Sequence, residues 1–120
     1  MKTFKAFFAI AFALIMASVA KAQNYKLDDP FLVTNTIKAN GACEMCKHRI
    51  ENTLKKSSAI KSAVWDENSK TVQVQYYKSQ IKPDQLQQLI ASAGHDTEKF
   101  KASDEVYRKL PECCHYARTN

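Results

Sequence analysis

The hydrophobic period of this chain changes at one place, and that change fixes which elements must meet. Residues 31–39 alternate, which puts Phe31, Val33, Ile37 and Ala39 on one face of a strand. Asn35 falls on the same face, a polar residue among apolar ones. Residues 46–57 instead carry Cys46, Ile50, Leu54 and Ser57 along one helical stripe. The switch falls within Asn40-Gly41-Ala42-Cys43-Glu44-Met45, so a strand hands over to a helix in one short loop. Gly41 lets that loop turn tightly. Cys43 then sits in the loop, and Cys46 heads the apolar face of the helix.

The remaining periods extend the pattern. Ile60–Asp66 reads as a second strand whose register is ambiguous at Ala63, Val64 and Trp65. Polar residues 67–70 make a turn, and Thr71–Tyr77 alternates cleanly, with Val72, Val74 and Tyr76 on one face. Pro83 suits the first turn of a second helix, in which Leu86, Leu89, Ile90 and Ala93 share a face and Gly94 supplies the C-terminal stop. A short strand is expected at Thr97–Ala102. Strand, helix, strand, strand, helix, strand is the order of an α+β, ferredoxin-like βαββαβ sandwich. Residues 103–120 then form a C-terminal extension outside that core. Ser103-Asp104-Glu105 caps a short helix with Val106, Tyr107 and Leu110 on its apolar side, Pro111 stops it, and Cys113-Cys114-His115 follows.

Residues 1–22 read as a secretory signal peptide: Lys2 and Lys5, an apolar run from Phe7 to Ala20, then Ala20-Lys21-Ala22 as the cleavage site. The apolar run is short of the roughly 20 residues a membrane span needs. The expected product is periplasmic, with no membrane span after cleavage. Removing 22 of the 120 residues leaves 98, enough for one small domain behind a flexible lead-in at 23–30. The three lysines lost with the segment lower the net charge from +6 to +3. Mixed signs without a basic cluster make no case for nucleic-acid binding. Lys47, His48, Arg49, Lys55 and Lys56 lie mostly off the apolar stripe of the first helix, as a solvated face or a docking surface for an acidic partner, and Glu51 and Lys55 are spaced to pair.

All four cysteines belong to the mature part. The helix N-terminus favours a thiolate at Cys43 and Cys46, and thiolates suit soft ions such as Cu(I) or Zn(II). A disulfide or two small buried residues is the plainer alternative. Cys113 and Cys114 are neighbours, which a disulfide bridges only with strain. Three arrangements are open to them: a thiolate site shared with the loop, an independent site with His115, or disulfides from tail to loop.

With these features in place, residues 31–102 resemble a heavy-metal-associated domain, the module of copper chaperones, periplasmic mercury-binding proteins and the N-terminal repeats of metal-pumping ATPases. The matching residues are Gly41-Ala42-Cys43-Glu44-Met45-Cys46 after the first strand and Ala93-Gly94-His95 closing the second helix. The resemblance implies that Cys43 and Cys46 hold one soft ion and pass it on by ligand exchange. It also places His95 near the metal, as a third ligand or proton-linked tuner. The family's methionine two residues before the first cysteine is Gly41 here, and Met45 lies between the cysteines, to pack, face solvent or ligate. The expected function is a non-enzymatic periplasmic carrier or scavenger of Cu(I), with Hg(II) or Zn(II) as alternative ions. Its expected partner is a metal-transporting membrane protein or another metal carrier. A thiol–disulfide oxidoreductase is the competing class. No tryptophan precedes Cys43, and Pro30, Pro83 and Pro111 are poorly placed to provide the cis-proline of a thioredoxin-like site. A plain interaction module with a structural disulfide is the third.

Overall fold

Three seven-residue strands make the sheet: β1 (Leu32–Lys38), β2 (Ile60–Asp66) and β3 (Thr71–Tyr77), all antiparallel in the order β1-β3-β2. The computed structural model describes residues 29–119, so the expected signal peptide and residues 23–28 of the lead-in lie outside the described residues. The central strand behaves as its alternation requires, with Val72, Val74 and Tyr76 buried on the helix side. Asn35 pairs with Val74 across β1 and β3, and its amide donates to the Tyr76 hydroxyl at 3.2 Å. That bond explains a polar residue on the apolar face. On β2, Ala63 and Trp65 point inward and Val64 outward. A bulge between Ile60 and Ser62 shifts the parity, so Ile60 and Ala63 both face the core although three positions apart.

Two helices cover one face. Helix α1 (Glu44–Lys55) buries Cys46, Ile50 and Leu54, one residue per turn. Helix α2 (Pro83–Ser92) buries Leu86 and Ile90 and ends before Gly94, whose φ of +108° is glycine territory. Glu51 pairs with Lys47 (2.8 Å), not in close contact with Lys55 as its spacing promised. The reason is burial: Glu51 also accepts the Trp65 amide (3.2 Å), while Lys47 donates to the Trp65 carbonyl (3.0 Å). The pair thereby fastens α1 to the edge strand β2, and Lys47 is no simple surface charge.

The expected strand Thr97–Ala102 does not form. It leaves a single bridge, Ala39 to Thr97. Side chains take its amides instead: Gln87 accepts from Lys99, the Thr97 hydroxyl from Phe100 and the Asp96 carboxylate from Ala102, at 3.0, 3.1 and 2.8 Å. Local polar groups have outcompeted a sheet ladder.

The C-terminal extension packs back onto the domain and contributes to its core. Helix α3 (Asp104–Arg108) starts at Ser103, whose hydroxyl accepts the Val106 amide. Leu110, Cys114 and Tyr116 are all buried in the main cluster. Leu110 sits where a side chain on Gly94 would go, 2.9 Å from the position of a Cβ there. The Tyr116 hydroxyl donates to the Gly94 carbonyl (2.7 Å) and accepts from the Asp96 amide (2.9 Å). Arg118 grips both Asp96 oxygens at 3.0 and 2.9 Å and reaches Asp104 and the Ala102 carbonyl. Its guanidinium also lies 4.7 Å from the centre of the Tyr107 ring.

Asp96 is the hub of this strap. Burial pushes its carboxyl up, but Arg118 and the Ala102 amide outweigh that and leave it below the ordinary value. A depressed folded value means the stabilisation is present above the unfolded pKa of about 3.9 and is lost as pH falls through the folded value. Asp96→Asn is therefore expected to cost about 2 kcal/mol at neutral pH, with the gap to the parent protein narrowing below about pH 4. Urea unfolding of both proteins across that range checks this. A gap that stayed constant into acid would show that the Asp96 charge does not hold the strap.

Candidate metal centre

The loop geometry starts from Trp65. Its indole NH donates to the Ala39 carbonyl at 2.9 Å, and its ring lies against Gly41. A Cβ on Gly41 would stand 2.9 Å from the Trp65 ring and 3.0 Å from the Cys46 Cβ. Gly41 adopts no left-handed conformation, so the glycine provides room rather than a special turn. The indole fills the space under the loop that a side chain at residue 41 would otherwise enter. Sequence reading missed this brace because the bulge in β2 hid which way Trp65 points.

Cys43 is extended and forms the N-cap of α1, its carbonyl accepting the amides of Cys46 and Lys47. Cys46 lies in the first turn, fully buried, with its sulfur 3.4 Å from the Ala42 amide and 3.6 Å from Cys43 Sγ. The tail comes back to this loop through a 3-10 turn, Glu112–Cys114. Cys43 Sγ is 3.0 Å from Cys113 Sγ and 3.4 Å from Cys114 Sγ, and the two tail sulfurs are 3.8 Å apart. Cys43, Cys113 and Cys114 can thus each offer one sulfur to a common ion. Met45 Sδ stands 3.4 Å from Cys113 at the rim, and Arg49 Nη1 is 3.2 Å from Cys114 Sγ. Arg49 therefore faces the thiols. All four cysteines are free thiols.

Neither candidate histidine belongs to this sulfur group. His115 is exposed and its ring tilts against Tyr107, 5.1 Å between centroids, so the independent Cys-Cys-His arrangement is not built. His95 is fully buried, with Nδ1 2.8 Å from the Asn40 carbonyl. A carbonyl only accepts, so Nδ1 carries the proton and Nε2 is left as a buried acceptor without a partner. Burial holds the imidazole below its usual pKa, in the neutral form. The Asn40 bond ties the strand end to the loop after α2, beside the Asn40 amide bond to the Asp96 carbonyl.

The four thiols differ in proton affinity. Burial pushes the Cys43 thiol up, but hydrogen bonds from Cys113, the Cys46 amide and Cys114 bring it down to about 7. Burial pushes Cys46 up to about 12. Cys113 is raised by its hydrogen bond to Cys43, and Cys114 is raised by burial. Of the four thiols, Cys43 gives up its proton most readily. The others give up protons only as an ion takes their place.

An α+β sandwich with thiols at the strand-to-helix loop defines a small soft-ion-binding domain. Comparison with known proteins agrees: the pattern of the heavy-metal-associated domain matches residues 36–96, and the chain belongs to that family. Among solved structures, a CopZ metallochaperone is similar at 26% identity and a TM-score of 0.52, covering 54% of this chain and 98% of its own. A protein from Bacillus anthracis str. Ames, named for copper-ion binding, has the same fold at 20% identity and a TM-score of 0.53, covering 56% of this chain and 96% of its own. No curated protein matches the chain.

Proposed function

We propose that this protein is an exported, non-enzymatic carrier or scavenger of Cu(I), held first by Cys43 and Cys46 and exchanged with a metal-transporting membrane protein or another carrier. The observation that carries this reading is the pair of free sulfurs 3.6 Å apart at the start of α1, one on a half-buried loop and one fixed in the core. Cu(I) is soft, and two thiolates at a helix N-terminus meet its preference. The similarity to a metallochaperone at 26% identity supports a metal carrier. Exchange begins at Cys43, the loop thiol with the lower pKa, while Cys46 anchors the ion from below. Export rests on the basic start, apolar run and Ala20-Lys21-Ala22 of the sequence.

The test is metal analysis of protein purified from the periplasm without added metal, with a free-thiol count and an insulin-reduction assay on the same sample. Bound copper, thiols that become countable on its removal and no insulin reduction are expected. Mercury or zinc in place of copper would overturn the choice of ion, and insulin reduction without bound metal would overturn the carrier function.

A further inference from the structure

We propose that Cys113 and Cys114 are ligands of the same ion as Cys43, so that the tail turns a two-cysteine exchange loop into a closed, multi-thiolate holding site. This assignment deepens the proposed function and rests on the loop cysteines being where the ion enters.

The first support is spacing. A soft metal–thiolate bond of about 2.3 Å puts the sulfurs of a trigonal or tetrahedral site roughly 3.8–4.0 Å apart. The sulfurs of Cys43, Cys113 and Cys114 lie 3.0, 3.4 and 3.8 Å apart. They form a ready triangle that needs to open by an ångström or less, about a side-chain adjustment. Cys46 lies 3.6 Å from Cys43 and is not one of the three sulfurs of the triangle.

The second support is that the tail is held on both sides of the pair. Leu110 is seated against Gly94 before it. Tyr116 and Arg118 are bonded to Gly94 and Asp96 after it. A tail with idle thiols needs no such strap, and Cys114 is itself fully buried.

The third is charge. Three thiolates around a monovalent ion leave excess negative charge in a half-buried site. The Arg49 guanidinium, 3.2 Å from Cys114 Sγ, stands where it offsets that charge.

The consequence is retention. Of the four thiols, only Cys113 is exposed. An ion held by the triangle leaves when exposed Cys113 or half-buried Cys43 exchanges, or when the tail lifts. Cys113 and Cys114 lie beyond the family match at residues 36–96, so this closure belongs to the tail and not to the shared domain.

The experiment compares reduced mature protein with Cys113→Ser, Cys113→Ser/Cys114→Ser and Cys43→Ser/Cys46→Ser. Each is titrated with Cu(I) against a chromophoric chelator, and its sulfur coordination is read by X-ray absorption. Because Cys113 is exposed, the single variant leaves the fold intact. Expected results are a lower sulfur coordination number in both tail variants and Cu(I) retention reduced by about tenfold or more. Unchanged coordination and retention in both would overturn the assignment. So would a fall in stoichiometry with the loop site unaltered, which would mean an independent tail site. Loss of tight binding on changing Cys43 and Cys46, with no effect of the tail variants, would overturn only the tail's role. Failure of the parent protein to bind Cu(I) would overturn the proposed function with it.

Discussion

Replacing Cys43 and Cys46 together with serine is expected to lower Cu(I) affinity of the reduced protein by two orders of magnitude or more, roughly the change expected when soft donors become hard ones. The hydroxyl keeps the shape of the thiol but stays protonated at neutral pH and offers a hard oxygen. The tail thiols remain, yet Cys114 is buried and the loop sulfur that both approach is gone. Competition titration gives the affinity, and X-ray absorption gives the ligand atoms. Full affinity with the same sulfur coordination in the double variant would place the ion somewhere other than the loop.

Trp65→Ala carries the largest expected effect on stability. The side chain is only 2% exposed, supports Gly41 and Cys46, and donates to the Ala39 carbonyl. Removing it leaves a cavity under the metal loop and an unsatisfied carbonyl, at a cost of about 3–5 kcal/mol. Gly41→Met in the parent protein should also destabilise, by about 1–3 kcal/mol, because the new side chain meets the indole. In the Trp65→Ala background, the methionine enters the vacated space. The double variant is then expected to be more stable than additivity allows by about 0.5–3 kcal/mol. Urea unfolding of the four proteins decides it, and strictly additive costs would show that Trp65 and residue 41 do not share one space.

The position of the tail has the most direct bearing on function. With Leu110, Cys114 and Tyr116 in the core, residues beyond the family match take part in the fold that presents the loop. Mutations at Asp96 or Arg118 therefore reach the sulfur cluster through the strap, without touching any sulfur.

What the chain settles alone follows from local periodicity and local chemistry. Alternation in Thr71–Tyr77 sets the inward face of the central strand, and the stripe Cys46, Ile50, Leu54 sets that of the first helix. Pro83 and Gly94 mark the second helix, and the loop Gly41–Cys46 shows the thiol pair and its likeness to a soft-metal domain. These are readable because each depends on neighbours a few positions away. Tertiary structure decided the rest. The bulge after Ile60 reverses the parity that would have turned Trp65 away from the loop. Gln87, Thr97 and Asp96 claim amides that a fourth strand would have used. Cys113 lies 70 positions from Cys43 and meets it at 3.0 Å because Gly94, Asp96 and Asn40 hold the strand end, the loop after α2 and the tail together. Long-range packing of that kind leaves no period in the sequence, since the residues that meet are chosen by the shape of the folded core.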